Sequence, residues 1–244
     1  MQLAEIPGGA VRLKDARRGT ERNVPLLPFN IGVVPVTAAE FATGRLSTAV
    51  PDKIDLPATG VRWLDAVAWC STASEYDDLE PVYQLDDEAT RWNLDANGYR
   101  LPTEAEWVYA SMAGHTGARY GTLPQIAWTS DDDATGPQPV GCKAANAYGL
   151  FDTLGNVWEW CWDRLDPARY ADYRVLKGGG WADPEWSCRV GVRRGNAPNA
   201  VVEDVGFRVV RGAANGGQGW SEAADRQRAS IAHPLPMGWT PLQL

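Results

Sequence analysis

The 244-residue chain carries 31 acidic against 23 basic side chains, a formal net charge of −8, and with no basic tract to offset the acid this excludes nucleic acid and anionic membranes as partners. No apolar run approaches the roughly 20 residues that cross a bilayer, and residues 1–14 lack a leader's apolar stretch, so the expected compartment is cytoplasmic. Four cysteines without a Cys-x-x-Cys pair exclude a disulfide scaffold, two histidines exclude an imidazole-rich zinc or iron site, and 25 Gly, 17 Pro and 12 Trp predict turn-rich backbone held by aromatic packing.

In chain order, Ile6-Pro7-Gly8-Gly9 is a turn entering a short alternating strand. With a second strand from about 26 to 34 it predicts an early hairpin. Thr37-Ala38-Ala39-Glu40 is a capping box for a short helix to about Thr43, stopped by Gly44. After a loop over 45–60, Trp63, Ala66, Val67 and Cys70 recur at helical spacing and predict a helix to about Ser74 with Cys70 in the core. Short strands follow at 82–85 and 90–94, joined by Asp86-Asp87-Glu88. In Arg100-Leu101-Pro102-Thr103-Glu104-Ala105-Glu106-Trp107, Thr103 and Glu106 form a second capping box, and capping accounts for Glu106 better than catalysis does. Asp131-Asp132-Asp133 reads as a solvated turn before it reads as a cation site.

Residues 146–163, Asn-Ala-Tyr-Gly-Leu-Phe-Asp-Thr-Leu-Gly-Asn-Val-Trp-Glu-Trp-Cys-Trp-Asp, are too mixed in polarity for an ordinary helix or strand. The Gly155-Asn156 pair supplies a sharp bend that the following tryptophans pin into a core. Asp152 and Glu159 would then face carbonyls freed by irregular backbone, an oxygen-rich setting suited to calcium. Gly178-Gly179-Gly180 lacks the lysine and hydroxyl of a phosphate loop and predicts close backbone approach. A strand pair is expected at 189–193 and 206–210. Beyond residue 211 the composition turns to Gly, Ala, Ser and Pro, dividing a domain over 1–211 from an extension over 212–244 that packs on the domain or on a partner.

These motifs, in this order, resemble the formylglycine-generating enzyme family, also called the sulfatase-modifying-factor family. The carriers are Ile-Pro-Gly-Gly, Ala96 through Trp107, Tyr148 through Trp160, the Gly-Gly-Gly-Trp stretch with Cys188, and Val205-Gly206-Phe207-Arg208. The resemblance implies an α+β, complex C-type-lectin-like fold with little regular secondary structure around a small twisted antiparallel sheet. It implies a structural calcium held by Asp152, the carbonyls of Gly155 and Val157, and Glu159. A second calcium site would fall near 131–143, where Gly141 replaces the expected aspartate. Founding members oxidise a cysteine with dioxygen and copper(I) held by two thiolates; here Cys188 matches the second, the first is Asp183, and the serine closing the glycine run is Gly180. A carboxylate is a poor copper(I) ligand, so formylglycine-generating activity is not expected.

The residues leave two functions open. One is an oxidoreductase tailoring a peptide or peptide-derived small molecule, centred where Trp158, Trp181, Asp183, Glu185 and Cys188 converge, with His233 closing over it; copper or iron there has no support from the ligand set. Cys161 and Cys188 read as structural thiols before a redox or metal pair. The other is a non-catalytic binding module or an accessory subunit. Pro234, Pro236, Met237, Trp239 and Leu242 offer anchors for a protein partner, a homodimer mate or the chain's own domain.

Overall fold

Strands from both ends of the chain interleave in a computed structural model that describes residues 2–15, 20–45, 55–85, 90–166 and 170–213. The first sheet has the order β1 (Leu3–Ile6), β4 (Phe29–Gly32), β12 (Val210–Arg211), β7 (Tyr99–Arg100), all antiparallel. The second has the order β10 (Arg194–Asn196), β9 (Arg174–Lys177), β8 (Trp158–Arg164), β11 (Val205–Gly206), with β11 parallel to β8. Two hairpins complete the strands: β2 (Gly9–Asp15) with β3 (Thr20–Leu26), and β5 (Tyr83–Leu85) with β6 (Thr90–Trp92). The expected tail contacts, His233 and the acidic turn 86–88 lie outside the described residues.

Both capping boxes form. Thr37 caps α1 (Ala38–Thr43) with Glu40 reaching back to its amide, and Gly44 ends the helix in the left-handed region at φ 66°. Thr103 and Glu106 do the same for α3 (Glu104–Met112). Glu106 has a second task, accepting both arms of the buried Arg100 guanidinium at 2.7 Å and so tying α3 to β7. The predicted apolar stripe is the buried face of α2 (Trp63–Tyr76), which adds Trp69, Ala73 and Ser74 to the forecast residues.

Two strand expectations are corrected. The early hairpin exists, but β2 pairs with the unforeseen β3, and the run expected over 26–34 is shortened to β4, which pairs with β1. Pro28 has no amide to give a ladder and stands between β3 and β4. The pair expected at 189–193 and 206–210 does not form. Residues 207–209 instead cross between sheets: Phe207 O accepts from Val36 N, Val209 O from Gly32 N, and β11 and β12 at either side belong to different sheets.

Aromatic rings fill the space between α2 and β8. Trp63 Nε1 donates to Cys161 O at 3.0 Å, and Trp160 Nε1 donates to Val61 O at 2.8 Å. Trp162 stacks on Tyr83 at 4.9 Å and tilts against Trp63 at 5.3 Å. Arg208 lies fully buried in the crossover. Its Nε and Nη2 reach Glu159 at 2.7 Å each, its Nη1 donates to Gly32 O and its Nη2 to Phe151 O, while Trp107 Nε1 also donates to Glu159. Glu159→Gln leaves that guanidinium buried without its counter-charge, so a loss of about 3–5 kcal/mol is expected in urea unfolding; a loss below about 1 kcal/mol would mean that the pair is dispensable.

Candidate functional site

The glycine run does what its composition demands, because three groups press against it. A Cβ on Gly178 would stand 3.0 Å from Thr153 O, one on Gly179 2.6 Å from Cys188 Sγ, and one on Gly180 2.5 Å from Asp204 Oδ2. Gly178 and Gly179 also sit at φ 101° and 86°. At Gly180 the Asp204 carboxylate occupies the space that a side chain would enter.

Asp183, which the resemblance sets where a first copper ligand is expected, is buried and its carboxylate is already engaged. Oδ2 accepts from Trp158 Nε1 and from Gly180 N at 3.0 Å, and Oδ1 pairs with Arg194 at 3.2 Å, whose guanidinium covers the Trp158 ring at 4.9 Å. Asp204 is pushed up in pKa by burial and then by the Asp183 charge. Cys188 is buried, and burial, followed by the Asp183 charge, raises its thiol to about 12. Trp181 is joined to the turn by its amide on Asn156 O at 2.8 Å. Glu185 does not join the others: it is exposed and bonds Arg119 Nη1 at 2.6 Å. The structure thus brings Trp158, Asp183 and Cys188 together, leaves the Trp181 indole Nε1 buried without a hydrogen-bond partner among the described residues, and turns Glu185 aside. A committed carboxylate beside a single thiol does not fit copper(I), which takes thiolates. Cys161 is likewise a fully buried free thiol, its pKa raised by burial.

The bend ahead of β8 is built as its sequence suggests. Gly155 stands at φ 70°, where a Cβ would collide with Trp128 O, and Asn156 at φ 61° exchanges side-chain hydrogen bonds with the Gln138 backbone at 2.8 and 2.9 Å. Asp152, also left-handed at φ 52°, accepts from Gly141 N through Oδ2 at 2.7 Å; its buried Oδ1 has no hydrogen-bond partner among the described residues. Burial raises its pKa to about 6, and the nearby Glu159 charge adds to the rise. Glu159 Oε2 accepts twice and Oε1 once, leaving about one of four acceptor sites open on Oε1. Two carboxylates against the single Arg208 charge, with one orphaned oxygen, fit a hard cation. Around 131–143 the fit is poorer, since Asp132 is held by Lys143 at 2.7 Å and Gly141 offers only backbone. Among the described residues no group of three or more His, Cys, Asp or Glu side chains is placed to hold a metal by itself.

The profile of the sulfatase-modifying factor enzyme 1-like domain, the FGE-sulfatase family, matches residues 2–213. The chain belongs to this family. Relatives within the FGE-sulfatase family include the formylglycine-generating enzyme of Streptomyces coelicolor, 29% identical over 279 residues that cover 83% of this chain and 87% of that protein. The inactive C-alpha-formylglycine-generating enzyme 2 of Bos taurus is 30% identical over 270 residues, covering 87% and 89%. Among solved structures, Treponema denticola variable protein 1 superposes with a TM-score of 0.75 at 27% identity, covering 86% of this chain and 94% of that one. The FGE-like fold read from the motifs is the fold observed. No helix among the described residues is long and apolar enough to cross a membrane.

Sequence reasoning missed Arg194 and Asp204, which complete the Asp183 centre. Neither sits in a motif whose chemistry names a partner. Arg208 was visible within Val-Gly-Phe-Arg, but its counter-charge on Glu159 was assigned only to calcium. Because the folded pKa of Asp152 lies above its ordinary value, ionising it costs stability as pH rises from about 4 through about 6. In chelator, Asp152→Asn should abolish that part of the slope and gain about 1–3 kcal/mol over wild type at pH 7.5, with little gain at pH 4. Paired urea titrations at the two pH values read this directly, and parallel slopes would refute it.

Proposed function

We propose that this chain is a ligand-binding member of the FGE-sulfatase family, one that has exchanged the copper site for a closed structural anchor at Asp183 and takes a peptide or a peptide-derived small molecule. The supporting observation is that Trp158, Gly180 and Arg194 already hold the Asp183 carboxylate, three contacts on about four acceptor sites, which makes it a poor metal ligand and a poor general base. The Bos taurus relative named as inactive agrees with this reading. Oxidative tailoring of the same kind of substrate is the second reading. It is favoured by the relative named formylglycine-generating enzyme and by the retained Cys188.

Dioxygen consumption separates the two. Purified chain loaded with copper(I) or iron(II) and given cysteine-containing peptides should consume no oxygen above the metal-only control. Turnover by protein whose circular dichroism is unchanged would instead establish the oxidative reading.

Calcium belongs to the same proposal as a structural ion. Asp152 Oδ1, the carbonyls of Gly155 and Val157, and the remaining acceptor site on Glu159 would hold it. The ion would offset the excess negative charge and fix the bend that aims Trp158 at Asp183. Elemental analysis should find calcium bound, and chelation should lower the melting temperature by several degrees, as expected when a native-state ligand is withdrawn. An unchanged melting temperature would remove calcium from the account.

A further inference from the structure

A cleft of about 440 Å3 opens between β2, the outer face of α3 and residues 189–193, within the ordinary range for small-molecule sites. It includes none of Trp158, Trp181, Asp183, Glu185 or Cys188 and stands independently of how the Asp183 centre is read. Its charge is opposite to that of the whole chain: Arg12, Lys14, Lys177, Arg189 and Arg193 line it against the single carboxylate of Glu104.

The floor gathers two basic side chains on one carboxylate oxygen. Glu104 Oε1 takes Arg193 Nε at 2.6 Å and Lys177 Nζ at 3.6 Å, so two cations share one carboxylate, and Lys177 and Glu104 are almost wholly buried. Behind them Asp163 Oδ2 accepts from Glu104 N at 2.6 Å. Burial, then the Glu104 charge, raises the Asp163 carboxyl to about 7, and burial lowers the pKa of the Lys177 ammonium. An anion entering the cleft meets these two cations at its floor and the arginine and lysine side chains at its rim. At the rim, Arg12 and Lys14 share Glu21 at 3.2 and 3.1 Å in exposed pairs that a ligand can outcompete. Arg189 is tethered through Nε to Trp186 O at 2.7 Å. Between rim and floor the walls are apolar, with Leu13 and Val108 facing Val190.

We propose that this cleft binds a small organic oxyanion, a carboxylate or a phosphate monoester, whose apolar body lies along the Val108 wall while its charged end meets the basic side chains. Arginine and lysine recognise both anions, by paired donors and by point charge respectively. The same walls give an inorganic ion little to bind beyond charge.

Isothermal calorimetry on the full chain tests this with 4-phenylbutyrate, 3-phenylpropyl phosphate and the uncharged 4-phenylbutyramide. One saturable site for either anion is expected, with the amide about ten-fold weaker or worse; which anion binds more tightly distinguishes carboxylate from phosphate. The doubly substituted Lys14→Gln, Arg189→Gln chain, altered at exposed positions, should keep its melting temperature and bind the preferred anion about five-fold or more weakly. Absence of saturable binding for both anions at millimolar concentration, equal affinity for the amide, or wild-type affinity in the folded double variant would each overturn the proposal.

Discussion

The buried pair of Glu159 and Arg208 is the interaction on which the rest depends. Four elements meet there: Glu159 comes from β8, Arg208 from the crossover between β11 and β12, Trp107 from α3, and the Gly32 carbonyl from β4. A fold with strands of two to seven residues cannot rely on long ladders to hold its sheets in register with each other. Charge-assisted bonds between fully desolvated groups do so here, and their cost in lost hydration is offset because every arm of the guanidinium finds an acceptor. Arg100 with Glu106 repeats the device one layer away, at the join of β7 and α3.

The Asp183 centre follows the same logic. In a two-thiolate site the first ligand has to stay uncommitted for the metal. Here the carboxylate is drawn into the surrounding polar network, with the Trp158 indole, the Gly180 amide and the Arg194 guanidinium all directed at it. Gly180 and Asp204 fit as a pair, since the space vacated at one is filled by the other. Asp183, Trp158, Gly180 and Arg194 thereby form one connected polar centre beside β8.

Local signals carried the sequence reading, and distant ones did not. The capping boxes at Thr37 and Thr103, the stripe on α2 and the glycine run were readable because each is specified within a few residues. Strand pairing was not, because β11 and β12 are two residues long and their partners lie far back in the chain. Asp152 and Glu159 were legible as carboxylates beside a bend, yet no local pattern showed that Arg208 already claims most of Glu159. The sequence reading grouped Cys188, Asp183 and Glu185, and no local pattern showed that Arg119 draws Glu185 to the surface. The cleft lined by Lys177 and Arg193 had no sequence signature, being assembled from four separate stretches of chain.

The paired indole bonds from Trp63 to Cys161 and from Trp160 to Val61 span 98 and 99 residues, and Arg208 reaches back 176 residues to Gly32. Closing loops of that size must precede most of the burial that rewards it, so the chain belongs with slow, high-contact-order folders. During synthesis the consequence is sharper. Since β12 lies between β4 and β7, the first sheet stays in two halves until residue 211 has left the ribosome, although Trp63 and Trp107 find their partners on β8 earlier. Until β12 emerges, the facing edges of β4 and β7 lack the strand that joins them, and unpaired edges of this kind are what make a nascent chain prone to aggregate.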